Sequence, residues 1–100
     1  MYKRQDLDKT IELVEKAQGR YQGMNKAKAF GNIAMAIYET HPDDARKLLR
    51  RSFELISGID GNFTDKVAFT LLRYSQFIDP ESTGEYWWRT VSLYLSLIHI

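Results

Sequence analysis

No cysteine occurs among the 100 residues. That excludes disulfides, thiolate nucleophiles and Cys-ligated zinc. The absence fits a reducing compartment, and a cytoplasmic location is expected. Proline is found only at Pro42 and Pro80, and no Gly, Ser or Pro-rich linker divides the chain. No sign of charge is in excess: 14 Lys and Arg face 13 Asp and Glu, a net +1. The chain therefore has no global drive toward nucleic acid or an anionic membrane. The opening stretch MYKRQDLDKT lacks the apolar core of a signal peptide. The longest apolar-looking run, TVSLYLSLIHI at 90–100, is too short and too polar to span a bilayer. Strand-like alternation is also missing.

What is present is apolar spacing of three and four, five times over, the signature of amphipathic helices. Hydrophobic residues make up 44% and charged residues 27%, a globular balance. The spacing predicts helices over about 6–22, 25–39, 42–57, 64–78 and 80–94. Their expected inner faces begin with Leu13, Val14, Ala17 and Tyr21 in the first helix. Ala27, Phe30, Ile33, Ala34 and Ile37 follow in the second, and Ala45, Leu48, Leu49, Ser52, Phe53 and Ile56 in the third. Ala68, Leu71, Leu72, Ser75 and Ile78 mark the fourth, and Thr83, Tyr86, Trp87, Thr90, Val91 and Tyr94 the fifth.

The boundaries have physical causes. Pro42 and Pro80 suit the first helical position, where a missing N–H is harmless. Asp79 is an expected N-cap, and Asp43 and Asp44 favour the dipole of the helix they open. Gly23 and Gly58 are expected stops after helices one and three. Asn25 and Thr64 are expected caps of the helices that follow.

The chain also repeats itself. DKTIELVEKAQGRYQG (8–23) overlays DDARKLLRRSFELISG (43–58) at an offset of 35. KAFGNIAMAIYETHPDD (28–44) overlays VAFTLLRYSQFIDPES (67–82) with Ala-Phe on Ala-Phe, at an offset of 39. A two-helix period of this length predicts an all-α fold, an α/α solenoid of antiparallel helical hairpins.

With its small-residue ladder Ala45, Leu49, Ser52 and its bulky-to-small run Phe30, Ile33, Ala34, the chain resembles the tetratricopeptide-like class of helical repeats. A HEAT-like or other α/α solenoid is the alternative. The resemblance implies a non-catalytic scaffold that binds a protein or peptide. It implies a concave groove walled by Lys28, Met35, Tyr38 and Glu39 from helix two. Val67, Thr70, Tyr74 and Phe77 from helix four would continue the wall. The same residues would otherwise pack between repeats. Gly31 and Met35 stand where that family's carboxylate clamp would want Lys and Asn, so a clamp of that kind is not expected.

Two alternatives compete with the scaffold. Arg46, Lys47, Arg50 and Arg51 make a basic face on helix three that suits a phosphate backbone, though Asp43, Asp44 and Glu54 stand close by. The third reading is a regulatory module of a larger, truncated enzyme. His41 beside Asp43 and Asp44 raises metal or base chemistry. A lone histidine at a helix start is more often structural, so no catalytic residue, cofactor or metal is expected. Tyr86 and Trp87 overlay Leu48 and Leu49 and are expected core. Trp88 points elsewhere and is expected to contact a partner or a further repeat.

The repeat pattern holds to about Tyr94. The closing LSLIHI, residues 95–100, has no cap and no polar end. In codons it reads CTG TCT CTT ATA CAC ATC, a string that resembles a transposon end used to prepare sequencing libraries. Residues 1–94 are therefore expected to be a fragment of a longer helical-repeat protein, and 95–100 a non-native tail in which His99 has no role. Self-association through an uncapped C-terminal face is expected.

Overall fold

Three-and-four spacing gives helix throughout. The computed structural model is all-α, with five α-helices and no strand among the described residues, which are 4–16, 22–57 and 65–98. Helix α1 spans Arg4–Lys16, α2 Gln22–Ile37, α3 Pro42–Ser57, α4 Asp65–Ile78 and α5 Thr83–Ile98. A single 3₁₀ turn, Pro80–Ser82, precedes α5. The expected cap Thr64, the stop Gly58 and the residues Ala17, Tyr21 and His99 lie outside the described residues.

Pro42 opens α3 as expected, and the His41 carbonyl accepts the Ala45 N–H at 2.9 Å. Three expected punctuation marks are corrected. Helix α2 starts at Gln22, so Gly23 and Asn25 lie within it. The cause is Lys26, which is buried in the first turns of α2 and donates from its ammonium to the Glu15 carbonyl of α1. That contact holds the start of α2 against the end of α1. Asp79 makes no side-chain cap. The 3₁₀ turn after it aims the Ser82 N–H at the Asp79 carbonyl instead, at 3.0 Å.

The Cα extents are 46 × 33 × 15 Å. Two layers of helices, with Cα radius about 2.3 Å and axes about 10 Å apart, account for a thickness of about 15 Å. Helix α4 packs on both α2 and α3, and α5 packs on α4. The core is Phe30, Ala34 and Ile37 from α2, Leu49 and Phe53 from α3, Leu71 from α4 and Tyr86 from α5. Phe53 and Tyr86 stack with centroids 4.2 Å apart and planes within 8°. Every expected inner residue of α3 and α4 is buried. The small polar ones are satisfied within their own helices. Ser52 donates to the Leu48 carbonyl at 3.0 Å, Ser75 to Leu72 at 2.6 Å and Thr90 to Tyr86 at 2.9 Å.

Burial recurs along the chain in a register that the residue overlays miss. Ala27, Phe30, Gly31, Ala34 and Ile37 of α2 are buried, and so are Ala68, Leu71, Leu72, Ser75 and Ile78, each 41 residues on. The same shift takes buried Ala45 and Leu49 of α3 to buried Tyr86 and Thr90 of α5. Exposed Lys28, Asn32 and Arg46 become exposed Phe69, Arg73 and Trp87.

This register corrects two expected core positions. Trp87 is 53% exposed, because the 3₁₀ turn Pro80–Ser82 puts the start of α5 three residues after Pro80, whereas α3 starts at Pro42 itself. Three residues on a helix rotate a side chain by about 300°, so Trp87 takes the place of solvent-facing Arg46 rather than of Leu49. Leu13 is 64% exposed, since the face of α1 that meets the core is Leu7, Ile11 and Val14, at i, i+4 and i+7.

Candidate functional site

A cleft of about 80 Å³ opens between α2 and α4, lined by Lys28, Asn32, Val67, Thr70, Leu71 and Tyr74. It exists because α2 and α4 approach closely at Gly31. A β-carbon there would collide with Leu71 Cδ2 and touch the Tyr74 ring at 3.6 Å. Tyr74 is fixed across the cleft by its hydroxyl, which donates to Asn32 Oδ1 at 3.0 Å. Lys28 is exposed at the rim and makes no ion pair among the described residues. The cleft holds the volume of fewer than about three waters at roughly 30 Å³ each. It is far below the roughly 300–1,000 Å³ of a small-molecule pocket. Its size suits one side chain of a longer ligand.

The sequence-predicted groove residues are thus divided. Lys28, Thr70 and Tyr74 meet in the cleft. Tyr38, in the turn just after α2, and Phe77 of α4 pair elsewhere, centroids 6.4 Å apart and tilted by 50°. The Tyr38 hydroxyl donates to Glu39 at 3.3 Å. Burial, then the charge of Glu39, pushes the Tyr38 pKa up from its ordinary 10.0. Met35 packs against the core. Asn32 was not anticipated. The signal was available, since it stands four residues after Lys28 on the same helical face.

The four basic residues of α3 do not act as one face. Arg46 is paired with Asp43 at 2.7 Å. Arg51 turns toward α1, to Glu15 at 3.5 Å, and is also near Glu54 at 3.8 Å. Arg50 turns toward α5. The Tyr86 phenol, then the charges of Glu85 and Asp79, raise its pKa above the ordinary guanidinium value. The enclosed Tyr86 hydroxyl nevertheless lacks a hydrogen bond of proper geometry. Its own pKa is raised from 10.0, by burial first, with Arg50 opposing. Lys47 and Arg50 are exposed without an ion pair among the described residues.

His41 Nδ1 lies 2.9 Å from the Thr40 hydroxyl. Asp43 is engaged by Arg46 and Asp44 by Arg4, so both neighbouring carboxylates already have cations. Among the described residues no group of three or more His, Asp or Glu side chains is placed to hold a metal ion. No helix among them is long and apolar enough to cross a membrane.

A second concavity, larger and not anticipated, lies between α4 and α5. It encloses about 500 Å³ against Phe69, Leu72, Arg73, Gln76, Gly84 and Trp87. Phe69 and Trp87 each stand about half exposed at its walls. Trp88 is more exposed still, at 68%, and does not line it. The residue overlay hid this notch by assigning Trp87 to the core.

No protein-family model matches the chain, and neither a curated protein nor a solved structure is detectably similar to it.

Proposed function

We propose that this protein is a non-catalytic helical-hairpin scaffold that binds an extended peptide across α2 and α4. One observation carries the reading: Lys28 and Asn32 of α2 and Thr70 and Tyr74 of α4, far apart in sequence, line one cleft. The chemistry is that of peptide recognition. An amide and two hydroxyls offer hydrogen bonds to a backbone, the small cavity takes one apolar side chain, and the Lys28 ammonium, without an ion pair among the described residues, meets a carboxylate. The recurrence of burial at 41 residues supports repeat architecture. That period exceeds the roughly 34 residues of tetratricopeptide repeats and falls in the roughly 40–47 of HEAT-like ones, so the HEAT-like alternative is the better description of the proposed stack.

The test is a titration of isotope-labelled protein with a set of short extended peptides bearing one Glu or a free C-terminal carboxylate, followed by amide chemical shifts. Saturable shifts at Lys28, Asn32, Thr70 and Tyr74, weakened by Lys28→Glu and by Tyr74→Ala in folded protein, are expected. Shifts absent from this cleft, or unchanged by both substitutions, overturn the reading.

A further inference from the structure

The notch between α4 and α5 repeats a face whose occupant is known. Shifted back by 41 residues, Phe69, Leu72, Arg73, Gln76, Gly84 and Trp87 become Lys28, Gly31, Asn32, Met35, Asp43 and Arg46. On that earlier face sits helix α4. Lys28 and Asn32 share a cleft with Val67, Thr70 and Tyr74, Gly31 receives Leu71, and Arg46 lies beside Asp79, Pro80 and Glu81, which follow the end of the same helix. The fold thus displays twice a seat for a helix and shows once what fills it.

We infer that the α4–α5 notch is a docking site for an amphipathic α-helix of a partner protein, seated as α4 is seated on α2 and α3. The inference concerns a different surface from the peptide cleft and stands without it.

The differences between the two faces specify the partner. Gly31, which leaves room for Leu71, is replaced by Leu72, so the incoming helix must carry a small residue at that position. Asn32, which accepts from Tyr74, is replaced by Arg73, a donor with no ion pair among the described residues. Three residues beyond the small one, the helix must therefore carry a carboxylate. Phe69 and Trp87 supply apolar walls where Lys28 and Arg46 stand in the first face. Helix α2 of a second copy does not meet the specification. The helix related to α4 by the same 41-residue shift is α2, and its corresponding side, Lys26, Phe30 and Ile33, is already covered or bonded.

The probe is a stapled peptide of about 16 residues, long enough to hold a helix. It carries the α4 sequence with Leu71→Ala and Tyr74→Glu and charged residues on its outer side. Binding to the full chain bearing Trp88→Phe is read by Trp87 fluorescence, with oligomeric state followed by light scattering. A saturable blue shift is expected. It should weaken at least about tenfold, a loss of roughly one ordinary charge-pair or packing contact, with Gly84→Gln or Arg73→Glu in the protein, or with Lys at the Glu position of the peptide. Gly84→Gln is a sound plug because a β-carbon at Gly84 meets nothing within 4 Å, so the protein stays folded while the notch fills. Absence of saturation, binding indifferent to Gly84→Gln, or a self-dimer that Gly84→Gln dissolves each overturns the inference.

Discussion

Replacing Gly31 by alanine probes the closeness of α2 and α4, and Gly84→Ala is its internal control. In both helices alanine gains up to about 1 kcal/mol over glycine from backbone propensity, less near a helix end. At Gly84 nothing lies within 4 Å of the new methyl, so stability should rise by about 0.5 kcal/mol. At Gly31 the methyl meets Leu71 Cδ2 and the Tyr74 ring. Leu71 is buried and cannot swing into solvent. Overpacking of this kind costs about 1–3 kcal/mol, which leaves Gly31→Ala neutral to about 2 kcal/mol destabilised. The two variants should therefore differ by roughly 0.5–2.5 kcal/mol. That gap corresponds to about 4–8 °C in Tm per kcal/mol for a chain of this size. Urea unfolding with an unchanged m-value is the assay, with calorimetry as the check. If Gly31→Ala matches or exceeds Gly84→Ala in stability, α2 and α4 do not approach as described, and the cleft built on that approach goes with it.

Further outcomes follow from named contacts. Tyr86→Phe keeps the stack on Phe53 and removes an enclosed, unbonded hydroxyl; a gain of about 1 kcal/mol in urea unfolding is expected, and a loss would mean that Arg50 supports the hydroxyl. The same phenol makes stability pH-dependent. Its folded pKa lies above 10.0, so its contribution is intact below pH 10 and falls as the unfolded chain ionises first above it; Tyr86→Phe should flatten that alkaline decline in pH-dependent Tm. Leu49→Ala empties a fully buried site in α3 and should cost about 2–5 kcal/mol in chemical denaturation. Arg51→Ala breaks only exposed ion pairs and should cost under about 1 kcal/mol. Reversing Arg46, Lys47, Arg50 and Arg51 together should leave peptide titration at Lys28 and Tyr74 unchanged; if it abolishes a salt-sensitive association with RNA, the basic face is the binding surface instead.

The two central helices were the most legible in sequence. The inner faces of α3 and α4 follow from spacing alone, because both are long, strongly periodic and packed on more than one side. The outer helices were less so. In α1 the apolar spacing permits two faces, and the overlay on α3 selected the one with Leu13; only contact with the core distinguishes it from Leu7, Ile11 and Val14. In α5 a proline looked like the start of an α-helix, as Pro42 is, and a single turn of 3₁₀ helix moved the phase. That one event moved Trp87 to the surface and built the notch. The Ala-Phe match of α2 and α4 was similarly misleading, since Phe30 is core and Phe69 is half exposed. Identity of residues and identity of environment part company where a loop changes length, and only the environment repeats at 41. The cleft was half legible. The tetratricopeptide-like resemblance pointed to Lys28, Thr70 and Tyr74, and Asn32 shares the face of Lys28 at i+4, whereas the hydrogen bond that joins Asn32 to Tyr74 spans 42 residues of sequence and is not legible from spacing.

The uneven coverage of the helices has a consequence in time. Helix α1 fully buries Leu7 alone, while α3 buries six side chains from Ala45 to Ile56. Local opening is easiest where the fewest buried contacts must be given up. Amide protons of α1 should exchange with solvent first and those of α3 last. The first partial opening then lifts α1 from α2 and breaks the hold of Lys26 on the Glu15 carbonyl. That opening withdraws Leu7, Ile11 and Val14 from the core while α3 and α4 stay closed, so the protein would briefly present a fresh apolar surface.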